Sequence, residues 1–119
     1  MARALKHALS LTSEYDAELT LLHVLEKVPH PARAAEAKAA ATEQLEKLIS
    51  AKDRKALKIA TAVRIGKAYE QIIQFALETE TDLAMMGVRG RDSLDLAIFG
   101  STTHRVMQLG PCPVLVAHV

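Results

Sequence analysis

The sequence predicts an α/β fold in which an open parallel sheet is covered by helices on both faces, three layers in all. Three observations carry that expectation. Short apolar runs alternate with longer segments of helical period, as strands joined by helical crossovers do. The runs end at glycine or polar residues, and the last is almost wholly apolar, as expected of strands buried on both faces. The chain has 119 residues, enough for one core without disulfides or metals, so a single domain over 1–119 is expected.

The elements follow in order. Leu5, Ala8, Leu9 and Thr12 recur at helical spacing opposite Arg3, Lys6 and Ser10, which predicts a helix from about residue 2 to 13. After a polar break, Leu19 to Leu25 is an apolar run and reads as a strand. Pro29-His30-Pro31 punctuates the chain. The stretch beyond it, rich in alanine, glutamate and lysine, predicts one long helix with Ala34, Ala37, Ala41, Leu45, Leu48 and Ile49 on its buried stripe. Leu57 to Ile65 reads as a strand ended by Gly66, and Tyr69, Ile72, Ile73 and Ala76 mark the next helix. Asp82 to Gly87 is another short strand, and Val88 to Phe99 has no period and reads as a loop. A helix from about Ser101 to Leu109 stops at Gly110-Pro111, and Pro113 to Ala117 forms the closing strand.

Composition narrows the function. Fifteen basic against fourteen acidic residues leave a net charge of +1, which makes no electrostatic case for nucleic acid or an anionic membrane surface. With two tyrosines, two phenylalanines and no tryptophan, no base-stacking platform is expected. The one cysteine, Cys112, has no internal partner, and no apolar run approaches the roughly 20 residues of a membrane span. A cytoplasmic protein is expected.

The chemistry concentrates in the back half. Met86-Gly87-Val88-Arg89-Gly90 leaves the end of a strand, where open parallel sheets bind ligands. Glycine lets backbone N–H groups approach a phosphate closely. Gly100-Ser101-Thr102 then opens a helix whose free N–H groups and dipole favour anions, with two hydroxyls to add. Arg89 and Arg91 flank Gly90 and have the fork geometry that suits phosphate oxygens. Asp92 and Asp95 in the same loop could reach a phosphate-bound divalent ion through water, but solvent exposure explains them better.

The spacing Gly87-x2-Gly90-x9-Gly100-Ser101 resembles the ATP-binding signature of the universal stress protein family. Leu22-His23-Val24, Asp82 to Gly87 and Cys112 to Val116 are similar to that family too, so the likeness covers nearly the whole chain. The resemblance implies five parallel strands in the order 3-2-1-4-5, with ATP on the carboxyl edge, accompanied by Mg or Mn. It implies a nucleotide site made of Val24, Gly87, Gly90, Gly100, Ser101 and Thr102, Val24 meeting adenine through its backbone; Arg89 and Arg91 join the expected site on their fork geometry, and Met86 because its backbone lies close to the glycine turn. It also implies a homodimer through strand 113–119 and a stress-response protein in which ATP acts as a conformational or dimerisation switch.

One departure stands out. Such proteins open with a strand and an Asp-x-Ser-like turn, whereas Met1 to Leu5 aligns with the first helix. Relative to the family the domain therefore reads as lacking its central strand, and weaker ATP binding than that of a five-stranded relative is expected. Three arrangements compete: residues upstream of Met1, direct pairing of the Leu19–Leu25 and Leu83–Gly87 strands, or a strand from another chain. The departure also supports an alternative function, an interaction module of the same fold that binds no nucleotide. An enzyme is not expected, since no Gly-x-Ser-x-Gly turn and no acid/base pair is legible, which leaves at most slow ATP hydrolysis. The five histidines show no metal-ligand spacing with one another or with Cys112.

Overall fold

The computed structural model describes residues 2–28, 30–88 and 100–118. Helix α1 (Ala2–Glu14) leads into strand β1 (Glu18–Leu25), and a short 3-10 turn (Pro31–Arg33) precedes helices α2 (Ala34–Lys47) and α3 (Ala51–Ala56). Strand β2 (Lys58–Ile65), helix α4 (Ala68–Glu78), strand β3 (Ala84–Val88), helix α5 (Gly100–Leu109) and strand β4 (Val114–His118) complete the order. The alternation of strands and helices is the expected one.

The stretch beyond Pro31 departs from the expected single long helix. Helix α2 ends at Lys47, and a second helix starts after Ser50. The Ser50 Oγ accepts from the Asp53 amide at 3.1 Å and donates to the Asp53 carboxylate at 3.0 Å, a reciprocal cap that starts α3 afresh. Ser50-x-x-Asp53 is legible in the sequence, but the strong helix propensity around it hides the break.

All described pairing is parallel. Strands β1 and β2 run in register from Glu18 opposite Lys58 to Leu25 opposite Ile65, and the Gly66 amide extends the ladder to Leu25 O at 3.0 Å. Strands β3 and β4 pair from Ala84 opposite Val114 to Val88 opposite His118. Among the described residues no ladder joins β1 to β3, so the strands form two pairs and not one continuous sheet. Direct pairing of these two strands, one of the three expected arrangements, is therefore not formed. Helices α2 and α3 lie between β1 and β2 in the chain and α5 between β3 and β4, and α1 packs against β1, β3 and β4, bridging the two pairs.

Helices cover both faces of the β1–β2 pair. Thr61 of β2 donates to Glu46 of α2 at 2.6 Å, while Arg64 of β2 reaches Glu78 of α4 at 3.0 Å. Residues three apart on a strand point to opposite faces, so α2 and α4 lie on opposite sides. The most buried apolar residues lie mostly off the strands: Ala4, Leu45, Ala76 and Val106 on helices, Ile49 between α2 and α3, and Ala117 on β4. The described residues of β1 and β2 are half-buried or exposed throughout.

Candidate functional site

The sheet positions a cleft at the ends of β1 and β2. Leaving β1 at Leu25, the chain places Glu26 at the rim; leaving β2 at Ile65, it turns at Gly66 and places Lys67 beside it. Gly66 has φ +147°, a backbone conformation that L side chains rarely adopt, and that turn directs the chain into α4. The first turn of α5 closes the other side. The cleft is about 240 Å³ and is lined by Glu26, Lys67, Tyr69, Ser101, Thr102 and Arg105.

Each of the six has a definite place. Glu26 Oε1 accepts from the Ala68 amide at 3.1 Å, so the carboxylate caps α4. Tyr69, half-buried in the first turn of α4, has two cations near its ring: Arg105 Cζ lies 4.9 Å from the ring centroid and Lys67 Nζ 5.7 Å from it. Arg105 follows Ser101 by four residues and Thr102 by three, which puts all three on one face of α5. Ser101, Lys67 and Arg105 are exposed, and Thr102 is half-buried. Among the described residues, neither Lys67 nor Arg105 has a carboxylate within 4.0 Å.

The expected nucleotide residues divide into three groups. Ser101 and Thr102 line the cleft, and Gly100 begins the helix that carries them. Val24 lies one residue before the end of β1, and Met86 and Gly87 lie near the end of β3; Val24 and Met86 are half-buried and Gly87 is exposed. Arg89, Gly90 and Arg91 fall outside the described residues, as do Asp92 and Asp95. Among the described residues no three His, Cys, Asp or Glu side chains cluster as a metal site. The arrangement is that of a cleft with Ser101, Thr102 and Arg105 of α5 on one side and Glu26, Lys67 and Tyr69 on the other.

A family model described as the universal stress protein family matches residues 1–118. The chain belongs to that family. It is 31% identical over 122 residues to a universal stress protein of Methanocaldococcus jannaschii, covering 95% of this chain and 72% of the relative. Among solved structures it resembles a universal stress protein of Lactobacillus plantarum at 26% identity and TM-score 0.74, covering 95% of this chain and 86% of that one. A universal stress protein in complex with cAMP matches at TM-score 0.68 and 19% identity, covering 97% of this chain and 84% of that one. An Archaeoglobus fulgidus universal stress protein in complex with dAMP matches at TM-score 0.62 and 18% identity, covering 96% and 84%. The last two likenesses concern the universal stress protein fold alone.

Four residues of the cleft in this universal stress protein escaped the sequence reading: Glu26, Lys67, Tyr69 and Arg105. Arg105 had a signal, since it sits one helical turn beyond Ser101. Glu26 and Lys67 had one too, as residues one and two positions past strand ends. Tyr69 reads in sequence as part of the helix's apolar stripe, and only the approach of α5 to α4 brings its ring to the cleft.

Proposed function

We propose that this universal stress protein binds an adenine nucleotide, with ATP the preferred ligand, and acts as a cytoplasmic switch in a stress response. The observation that carries the reading is the placement of Ser101 and Thr102, at the start of α5, in a cleft beside the ends of β1 and β2. Helix N-termini with free N–H groups and neighbouring hydroxyls hold phosphate, and open parallel sheets bind ligands at their carboxyl ends. The dAMP and cAMP complexes of proteins with the same fold lend support. Gly87, Gly90, Gly100 and Ser101 hold phosphates and ribose, joined by Thr102, Arg89 and Arg91, with Val24 beside the base and the Met86 backbone touching the ligand next to the glycine cradle. Mg or Mn accompanies the phosphates.

Binding acts by favouring one conformation or assembly state, which requires a different affinity for each. The assembly is a homodimer through strand 113–119. Leu115, on β4, is 41% exposed and offers apolar surface that a second copy covers. Turnover is not part of the reading.

Thermal shift with ATP, ADP and AMP tests it. ATP is expected to raise the melting temperature of the parent, and Gly100→Val is expected to abolish the rise while leaving the unliganded fold intact. No shift with any nucleotide favours the second reading, an interaction module of the same fold. Among the described residues β1 and β3 each pair along one edge, which supports that second reading, since open strand edges recruit partners.

A further inference from the structure

We infer that the space between β1 and β3 is a receptor for one extended, apolar peptide strand, which joins the two strand pairs into a single sheet. The inference deepens the interaction-module reading by naming its partner, and it holds whether or not a nucleotide binds. Its ground is the backbone. Strand β1 is laddered to β2 and β3 to β4, and among the described residues no ladder joins the two pairs. Backbone donors and acceptors left along a strand edge take up a further strand where one fits.

Distance sets how many strands fit. Adjacent strands lie about 4.8 Å apart. Strands β1 and β3 do not pack side by side, so they stand farther apart than that. Helix α1 nevertheless packs on β1, β3 and β4. It has 13 residues and is therefore about 20 Å long. With one strand in the gap, the row from β1 to β4 spans three spacings, about 14 Å, which a helix lying obliquely across it reaches. With two strands the row is about 19 Å wide, and α1 would have to lie square across it from end to end.

Burial indicates what the strand is made of. Helices α2 and α4 pack on β1 from its two sides. Yet Thr20 and His23, three residues apart and so on opposite faces, are exposed, and Leu21 and Leu22 are only half-buried. Leu5 and Leu9 of α1, the helix that spans the gap, are half-buried too. A parallel strand flanked by helices takes a nearly continuous apolar run, because both its faces are covered. Such a strand covers these leucines with its side chains while its backbone pairs with both edges. A small ligand offers no row of amides and carbonyls at strand spacing, so the partner is polypeptide.

The probe is a synthetic peptide of valine, isoleucine and alanine, about as long as β1, with lysines at both ends for solubility. Its control carries prolines at alternate apolar positions, which removes amide donors and keeps the apolar character. Each is added to the full chain without nucleotide, and binding is followed by calorimetry, sedimentation and amide exchange. The chain is expected to bind one equivalent of the first peptide and none of the control, with a rise in melting temperature of about 5 °C or more at saturation. Exchange in Glu18–Leu25 and Ala84–Val88 is expected to slow at least about tenfold. Equal binding of both peptides overturns the receptor, because apolar adhesion needs no ladder. Binding that leaves exchange in both strands unchanged overturns it as well. A chain that sediments as a dimer with those amides already protected, and takes no peptide, overturns the proposed partner and gives the place to a second copy. A monomer that binds neither peptide overturns the receptor outright. The nucleotide reading is untouched by any of these results, since the thermal shift with ATP is measured without peptide.

Discussion

Glu26 Oε1 accepts a hydrogen bond from the Ala68 amide at 3.1 Å across 42 residues of sequence. The end of β1 is thereby tied to the start of α4. The first N–H groups of a helix have no intrahelical acceptor, and a carboxylate there satisfies one of them while facing the positive end of the helix dipole. The same contact sets one wall of the cleft, so local helix chemistry and site geometry depend on a single side chain.

Glu26→Ala is therefore expected to cost about 0.5–2 kcal/mol, the usual loss on removing a helix cap. Glu26→Gln keeps an acceptor without the charge and should fall between the parent and Glu26→Ala. Urea unfolding measures both. An alanine variant as stable as the parent would show that water caps α4 equally well.

Gly66 makes the turn from β2 into α4 at φ +147°. An added Cβ would lie 2.8 Å from the Gln71 Nε2, but that atom is the end of a flexible side chain and can move away. The backbone cannot. Gly66→Ala should lose about 1–3 kcal/mol through the strained φ, and adding Gln71→Ala should not recover it. Recovery in the double variant would place the cost in the side-chain clash instead.

Glu46 of α2 takes a hydrogen bond from Thr61 of β2 at 2.6 Å and pairs with Arg54 of α3 at 2.6 Å. The Thr61 hydroxyl first, and then the Arg54 guanidinium, hold its carboxyl below the ordinary value of 4.5, against a smaller opposing effect of burial. A carboxylate lowered in the folded state stabilises fully above its unfolded value and loses that contribution as the pH falls through the folded one. Glu46→Gln should thus unfold with a flatter acid limb than the parent below about pH 4.5, with little difference in slope near neutrality. Parallel acid limbs in the two proteins would remove Glu46 from the account.

Arg64 of β2 reaches both Glu78 oxygens of α4, at 3.0 and 3.1 Å, and its Cζ lies 5.2 Å from the centroid of the Phe75 ring. Glu78 is 56% exposed, so screening by water keeps the ion pair weak, and a double-mutant cycle of Arg64→Ala with Glu78→Ala should give a coupling of roughly 0.2–1 kcal/mol. The cycle with Phe75→Leu should give a coupling of similar size that, unlike the first, survives added salt. Salt sensitivity in both cycles would contradict a contact carried by the ring.

Much of this molecule can be read from local order. The nearly continuous apolar runs at Leu19–Leu25 and Pro113–Ala117 declare strands, because a strand flanked by helices takes apolar residues on both faces, and the stripe of Ile72, Ile73 and Ala76 declares a helix by its 3.6-residue period. The glycine spacing from Gly87 to Ser101 declares the family for a similar reason: close backbone approach permits few residue types. What these local signals could not decide was pairing and neighbourhood. Nothing in the runs themselves says that, among the described residues, β1 pairs with β2 and β3 with β4, because a strand carries donors on both edges and the partner is chosen by crossovers and packing. The cleft is of the same kind. Ser101 was legible as a helix start, but Lys67, Tyr69 and Arg105 join it only because α4 and α5 pack together, which brings residues more than 30 positions apart to one ring.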